Sequence, residues 1–142
     1  FGQGWGWALV LGSGVAGNFI AAWVREGLHM GPHLSVGAST AVFGALGILV
    51  TANIGRRRRT LRSARWRVWA PLAGGLGFLA FMGSAPGSDL LAHLFGFVGG
   101  LCLGALACRM WPRPASGWRQ VPPVAGALAL FVWAWSQGVT AP

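Results

Sequence analysis

Long apolar runs without Asp, Glu, Lys or Arg are the feature that most constrains how this chain can fold. The five runs are residues 5–24, 36–55, 68–88, 90–108 and 120–142. Each is close to the length of about 20 residues that an α-helix needs to cross the hydrocarbon core of a bilayer. Backbone groups in lipid must be satisfied within a helix or a closed barrel, and these runs lack the alternation of barrel strands. The sequence therefore predicts an all-α, polytopic transmembrane bundle of five helices.

The composition agrees with a membrane protein. Hydrophobic residues make up 54% of the 142 residues and charged residues 9%, against roughly 25% charged residues in a soluble domain. The 24 glycines are common where membrane helices pack closely. The first apolar run is long enough to span and no basic segment precedes it, so we expect no signal peptide. Because Phe1 stands in place of Met, we expect that the beginning of the protein is missing or has been removed.

Capping and turn residues set the expected helix bounds. Gly55 suits a helix end, Ser88 or Asp89 suits a helix N-cap, and proline is favoured in a first helical turn. We expect helices over residues 5–24, 39–55, 66–82, 90–109 and 122–138.

Arginines are concentrated in the connections after the second and fourth predicted helices. Seven arginines lie within residues 56–67 and three within residues 109–119, whereas the opposite side has only Arg25. The net charge of +9 and such a basic loop also suit nucleic-acid binding. The positive-inside rule gives the favoured explanation, with these loops facing the cytoplasm and the lipid head groups. We therefore predict a lipid bilayer as a partner and no nucleic-acid partner.

One serine and one histidine are predicted at the same depth. In this orientation the second and fourth helices both begin on the outer side, so Ser39 and His93 lie within about two turns of the outer helix ends. An ionisable residue in a spanning segment is a functional-site hypothesis, and a serine needs a base within hydrogen-bond reach to act as a nucleophile. Gly96 and Gly100 share a helix face with His93 and permit a close approach of the second helix. We predict that His93 contacts Ser39.

Other polar residues have more than one interpretation. A membrane serine commonly bonds to a carbonyl one turn earlier, which is the structural alternative for Ser39. Asp89, four residues before His93, either orients the imidazole as a third member of a triad or caps the helix, and capping is favoured. His29 and His33 lack acidic or cysteine partners, so no metal site is expected. No cofactor is expected either.

Two motifs about fifty residues apart resemble the rhomboid family of intramembrane serine proteases. The motifs are Gly37-Ala38-Ser39 with Phe43-Gly44, and Ala92-His93-Leu94-Phe95-Gly96 with Gly100. The resemblance implies that Ser39 is the nucleophile and His93 the general base, cutting transmembrane segments of membrane proteins near the outer face. It also implies that Phe43 packs against the histidine and that the Ser39 backbone N–H contributes to an oxyanion hole.

The resemblance covers the family's third to sixth helices. It implies a partial catalytic core over residues 1–110, followed by a linker and an additional helix over residues 111–142. The family's second helix, with its oxyanion histidine and asparagine, has no counterpart in the chain, and Thr40 stands where glycine is usual. The expected location is a bacterial-type inner membrane. The oligomeric state is not predicted.

Two other functions are weighed against the protease. A rhomboid-like pseudoprotease would bind transmembrane helices without cutting them; Thr40 and the missing second helix favour it, whereas Ser39 and His93 favour an enzyme. A small transporter fragment would require broken helices or a charged site in the middle of the membrane, and the sequence shows neither.

Overall fold

A computed structural model of the chain describes residues 1–31, 38–58, 66–83, 88–110 and 117–140, and within these ranges every regular element is a helix. The helices are α1 (Gln3–Gly27), α2 (Ser39–Arg58), α3 (Trp66–Gly83), α4 (Leu90–Met110) and α5 (Val121–Thr140), with a short 3-10 helix (Gly117–Gln120) before α5. The expected order of helices is confirmed. The largest differences in bounds are at α1, which begins two residues earlier and ends three residues later than expected, and at α2, which continues into the first three arginines. Positive charge favours a helix C-terminus.

Two of the described helices, α1 and α4, are long and apolar enough to cross a membrane. The apolar parts of α2 and α3 are shorter, covering Ser39–Gly55 and Leu72–Phe81. Both parts are shorter than the charge-free runs that contain them, residues 36–55 and 68–88. The prediction of five spanning helices is therefore too high for the described residues.

Helix α4 lies between α1 and α2, which also contact each other, while α3 packs on α2 and α5 packs on α1. The buried apolar cluster contains Phe43 and Val50 of α2, Leu79 of α3 and Phe97 of α4. Large apolar side chains also cover the outside of the bundle: Phe19 and Phe81 are both 72% exposed. An apolar outer surface of this kind suits a lipid environment.

The contact surface between α2 and α4, called the α2–α4 seam below, consists largely of glycines. A Cβ added to Gly100 would lie 2.9 Å from the Gly44 Cα, and a Cβ added to Gly104 would lie 3.0 Å from the Ile48 Cα. Earlier in both helices, Gly96 contacts Thr40. In these three contacts the residue numbers rise by four along both helices, so α2 and α4 run parallel. The i, i+4 spacing of the three α4 glycines predicts such a face, and the structure places all three in it.

Helix α1 runs antiparallel to the other two and also meets them through small residues. A Cβ on Gly14 would lie 2.8 Å from the Ala41 Cβ, and a Cβ on Gly17 would lie 2.6 Å from the Gly96 nitrogen. The fully buried Ser13 hydroxyl bonds back to the Val10 carbonyl at 2.7 Å. Three helix backbones therefore approach one another just below the level of Ser39 and His93.

Candidate active site

The structure brings Ser39 and His93 into direct contact. Ser39 is the first residue of α2 and is exposed, whereas His93 lies in the first turn of α4 and is 8% exposed. The distance from His93 Nε2 to Ser39 Oγ is 2.8 Å, a hydrogen-bond distance between residues 54 positions apart. An imidazole nitrogen in this position can accept the hydroxyl proton, so the geometry suits an activated serine nucleophile.

Phe43 and Ser88 hold the imidazole ring of His93 from two directions. The Phe43 ring lies one turn after Ser39, and its centroid is 4.6 Å from that of His93 at an interplanar angle of 32°. Phe43 is itself 2% exposed and packs against Phe78 of α3, with centroids 5.6 Å apart. On the other ring nitrogen, Ser88 Oγ lies 3.4 Å from His93 Nδ1. The ring plane and the direction of Nε2 are therefore both constrained.

Ser88 was not expected beside the histidine. The sequence suggests it only as a possible N-cap, because it precedes α4, and its distance of five residues from His93 gives no helical relation. In the tautomer that is protonated at Nδ1, His93 donates to Ser88 Oγ and presents the Nε2 lone pair to the Ser39 hydroxyl.

Asp89 caps α4 and forms an ion pair with α1. Its Oδ1 accepts from the Ala92 backbone N–H at 3.1 Å and from Arg25 Nη2 at 2.8 Å. The contact with Ala92 is a helix cap, and Ser88 Oγ is the atom described beside His93 Nδ1. Asp89 therefore fixes the first turn of α4, which is the turn that carries His93.

The ion pair between Arg25 and Asp89 joins the end of α1 to the start of α4. It links residues 64 positions apart, and the two side chains are 17% and 8% exposed. Sequence reasoning missed this pair, although a signal was present. The chain has only two acidic residues, and Arg25 is the single arginine predicted on the side of the membrane where Asp89 lies.

Removing the Arg25 charge is expected to lower the free energy of unfolding. Breaking a buried ion pair costs roughly 3–5 kcal/mol, and the partial exposure of Arg25 should reduce this to about 1–3 kcal/mol in Arg25→Met. Denaturant unfolding in detergent measures the effect. Asp89→Asn is the matched variant, because Asn caps a helix as well as Asp does. The double variant should be more stable than the sum of the single losses predicts, and strictly additive losses would show that the pair is not coupled.

Thr40 follows Ser39 directly, and its side chain is buried between α1 and α4. It is 2% exposed, and its hydroxyl donates to Asn18 Oδ1 at 2.8 Å. Its methyl group contacts Gly17 and Gly96, so both branches of the side chain are taken up by contacts with neighbouring helices.

The remaining predicted residues are placed as follows. Gly96 and Gly100 lie on the α2–α4 seam. Gly37 and His33 lie outside the described residues. His29 is exposed after the end of α1 and has a positive φ of 51°. Among the described residues there is no group of three or more His, Cys, Asp or Glu side chains that could hold a metal ion.

Comparison with known proteins gives one result. A protein-family model described as Rhomboid domain matches residues 1–110. No curated protein and no solved structure matches the chain. The matched range contains α1 to α4, and so it includes both Ser39 and His93.

Proposed function

The chain belongs to the rhomboid family, and we propose that it is an intramembrane serine endopeptidase with Ser39 as nucleophile and His93 as general base. The observation that carries the proposal is the 2.8 Å contact between His93 Nε2 and Ser39 Oγ, with the serine exposed to an incoming substrate. Phe43, Asp89, Gly96 and Gly100 would support this pair, Gly37 would belong to the same loop, and no cofactor would be needed.

The reaction follows from the two side chains. Ser39 Oγ attacks the carbonyl carbon of the scissile peptide bond while His93 Nε2 takes its proton, which gives a tetrahedral oxyanion. The C–N bond then breaks as His93 returns the proton to the leaving amine, and an acyl ester remains on Ser39. Water, deprotonated by His93, hydrolyses this ester and restores the serine.

The start of α2 provides electrostatic stabilisation for the oxyanion. The first backbone hydrogen bond of this helix runs from the Val42 N–H to the Ala38 carbonyl at 3.1 Å. The first N–H groups of a helix have no acceptor within it and lie at the positive end of the helix dipole. The Ser39 N–H is one of these groups, and we propose it as a donor to the oxyanion.

The proposal also includes the orientation of the helices in the membrane. With the arginine-rich ends of α2 and α4 on the cytoplasmic side, Ser39 and His93 lie near the outer face of the membrane, where water can reach them. The substrates are transmembrane proteins whose helices unwind near that face. The shorter helices α2 and α3, together with α5, complete the bundle within a bacterial-type inner membrane. Residues 1–110 form the catalytic core, and residues 111–142 add a linker and an additional helix.

A pseudoprotease that binds transmembrane helices is the second candidate. Thr40 favours it, since it replaces the glycine that is usual after the nucleophile in the family. The hydrogen bond between Ser39 and His93 favours the enzyme, because a protein that only binds helices gains nothing from a serine held against a base.

Cleavage in proteoliposomes tests the proposed function. The full-length protein is reconstituted with single-span substrates that carry helix-destabilising residues near one end of the span. We expect a new fragment with the parent protein and none with Ser39→Ala, which removes the nucleophile. Co-purification of an uncut substrate with both proteins would support the pseudoprotease, and equal cleavage by both would exclude Ser39 as the nucleophile.

A further inference from the structure

A hydrogen bond between two polar side chains joins α1 to the first turn of α2 directly beside Ser39. Thr40 Oγ1 donates to Asn18 Oδ1 at 2.8 Å, across 22 positions of sequence. Thr40 is 2% exposed, whereas Asn18 is an exposed residue of the apolar helix α1. The Thr40 hydroxyl is costly to bury without a partner, so its bond to Asn18 favours one arrangement of the two helices.

The methyl group of Thr40 is fixed as closely as its hydroxyl. A Cβ on Gly17 or on Gly96 would lie 2.8 Å from Thr40 Cγ2 in each case. The methyl group therefore occupies a space that exists only because both neighbours are glycines. With the hydroxyl bonded to α1 and the methyl group seated against α1 and α4, the Thr40 side chain has one allowed rotamer, and the rotation of the first turn of α2 is set by it.

We propose that Thr40 and Asn18 are positioning residues that hold Ser39 in line with His93. Ser39 is the terminal residue of its helix and is exposed, so its own contacts do little to fix the backbone that carries it. Thr40, the next residue, is held by contacts with α1 and α4. Because one peptide bond joins it to Ser39, these contacts also restrict the position of the Ser39 backbone. This inference rests on the proposed function, since it concerns the rate at which the Ser39 hydroxyl reacts.

The test separates positioning from simple stabilisation. The full-length protein in detergent is treated with a fluorophosphonate over a range of concentrations, which gives a maximal rate of inactivation and a half-saturating concentration. Thr40→Val keeps the methyl contacts and removes the hydroxyl, Thr40→Ser keeps the hydroxyl, and Asn18→Leu removes the acceptor. The folded fraction of each variant is measured by circular dichroism, and the rates refer to the folded protein.

We expect the maximal rate to fall about 10- to 100-fold in Thr40→Val and in Asn18→Leu, because a misplacement near 1 Å can cost about 10²-fold. Thr40→Ser should retain the rate to within about threefold, the half-saturating concentration should not change, and the double variant should be no slower than either single variant. A parent-like maximal rate in folded Thr40→Val or Asn18→Leu, or multiplied losses in the double variant, would overturn the inference. No labelling of the parent protein would instead overturn the proposed function, and the inference with it.

Discussion

Replacing His93 with alanine is expected to slow the reaction of Ser39 with a fluorophosphonate by about 10²- to 10⁴-fold, the range that a positioned general base contributes. The physical reason is the 2.8 Å contact from His93 Nε2 to Ser39 Oγ. The substitution removes the imidazole nitrogen that accepts the hydroxyl proton. Proteolysis should fall by a similar factor, because in the proposed mechanism His93 also returns the proton to the leaving amine. Pseudo-first-order labelling rates in detergent measure the effect.

His29→Ala is the matched control for this prediction. His29 is also a histidine on the side predicted to be extracytoplasmic, but it is exposed after the end of α1. Its removal should leave the labelling rate unchanged. If His93→Ala were labelled at the parent rate while folded, the hydroxyl would be activated by another group and the assignment of His93 as base would be wrong.

Replacing Gly100 with alanine is expected to destabilise the packing of α2 against α4. The added Cβ would lie 2.8 Å from the Gly44 carbonyl carbon and 2.9 Å from its Cα. These are backbone atoms and cannot rotate away as a side chain can, so α2 and α4 must separate. Overpacking typically costs about 1–3 kcal/mol. Because the same two helices carry Ser39 and His93, the labelling rate should fall together with the free energy of unfolding.

Gly99→Ala is the control, because it adds the same methyl group one residue away. A Cβ at Gly99 would meet the Ser13 carbonyl oxygen at 3.7 Å, an ordinary van der Waals contact. Alanine is also the better helix former, by up to about 1 kcal/mol. Gly99→Ala should therefore be neutral or stabilising in denaturant unfolding. Equal losses in the two variants would mean that the close approach at Gly100 does not hold the helices together.

The sequence predicts the helices and the central pair because these depend on simple signals. The charge-free runs locate the helices, and the arginine distribution puts Ser39 and His93 at one depth. The spacing of Gly96 and Gly100 then supplies the rotation of α4 that turns the histidine toward α2. These three signals concern position along the membrane normal and the face of one helix, which are the properties that residue spacing can encode.

The contacts around the pair were not predictable because they depend on how the other helices are rotated. Helix α1 is apolar on all sides except for isolated residues such as Asn18, so its hydrophobic pattern does not show which side faces the bundle. The bond from Thr40 to Asn18 and the contact from Ser88 to His93 therefore emerge only from the assembled structure. The number of spanning helices was overestimated because a charge-free run can begin before the helix does: the second run starts at residue 36, whereas α2 begins at Ser39.

The position of the covalent adduct formed by a fluorophosphonate tests the central proposal most directly. Two serines contact the His93 ring: Ser39 lies at Nε2 and Ser88 at Nδ1. Peptide mapping by mass spectrometry of the labelled full-length protein distinguishes them. The proposed dyad predicts a single adduct on Ser39, which is absent in Ser39→Ala and strongly reduced in His93→Ala. An adduct on Ser88, or no adduct on a protein shown to be folded, would contradict it.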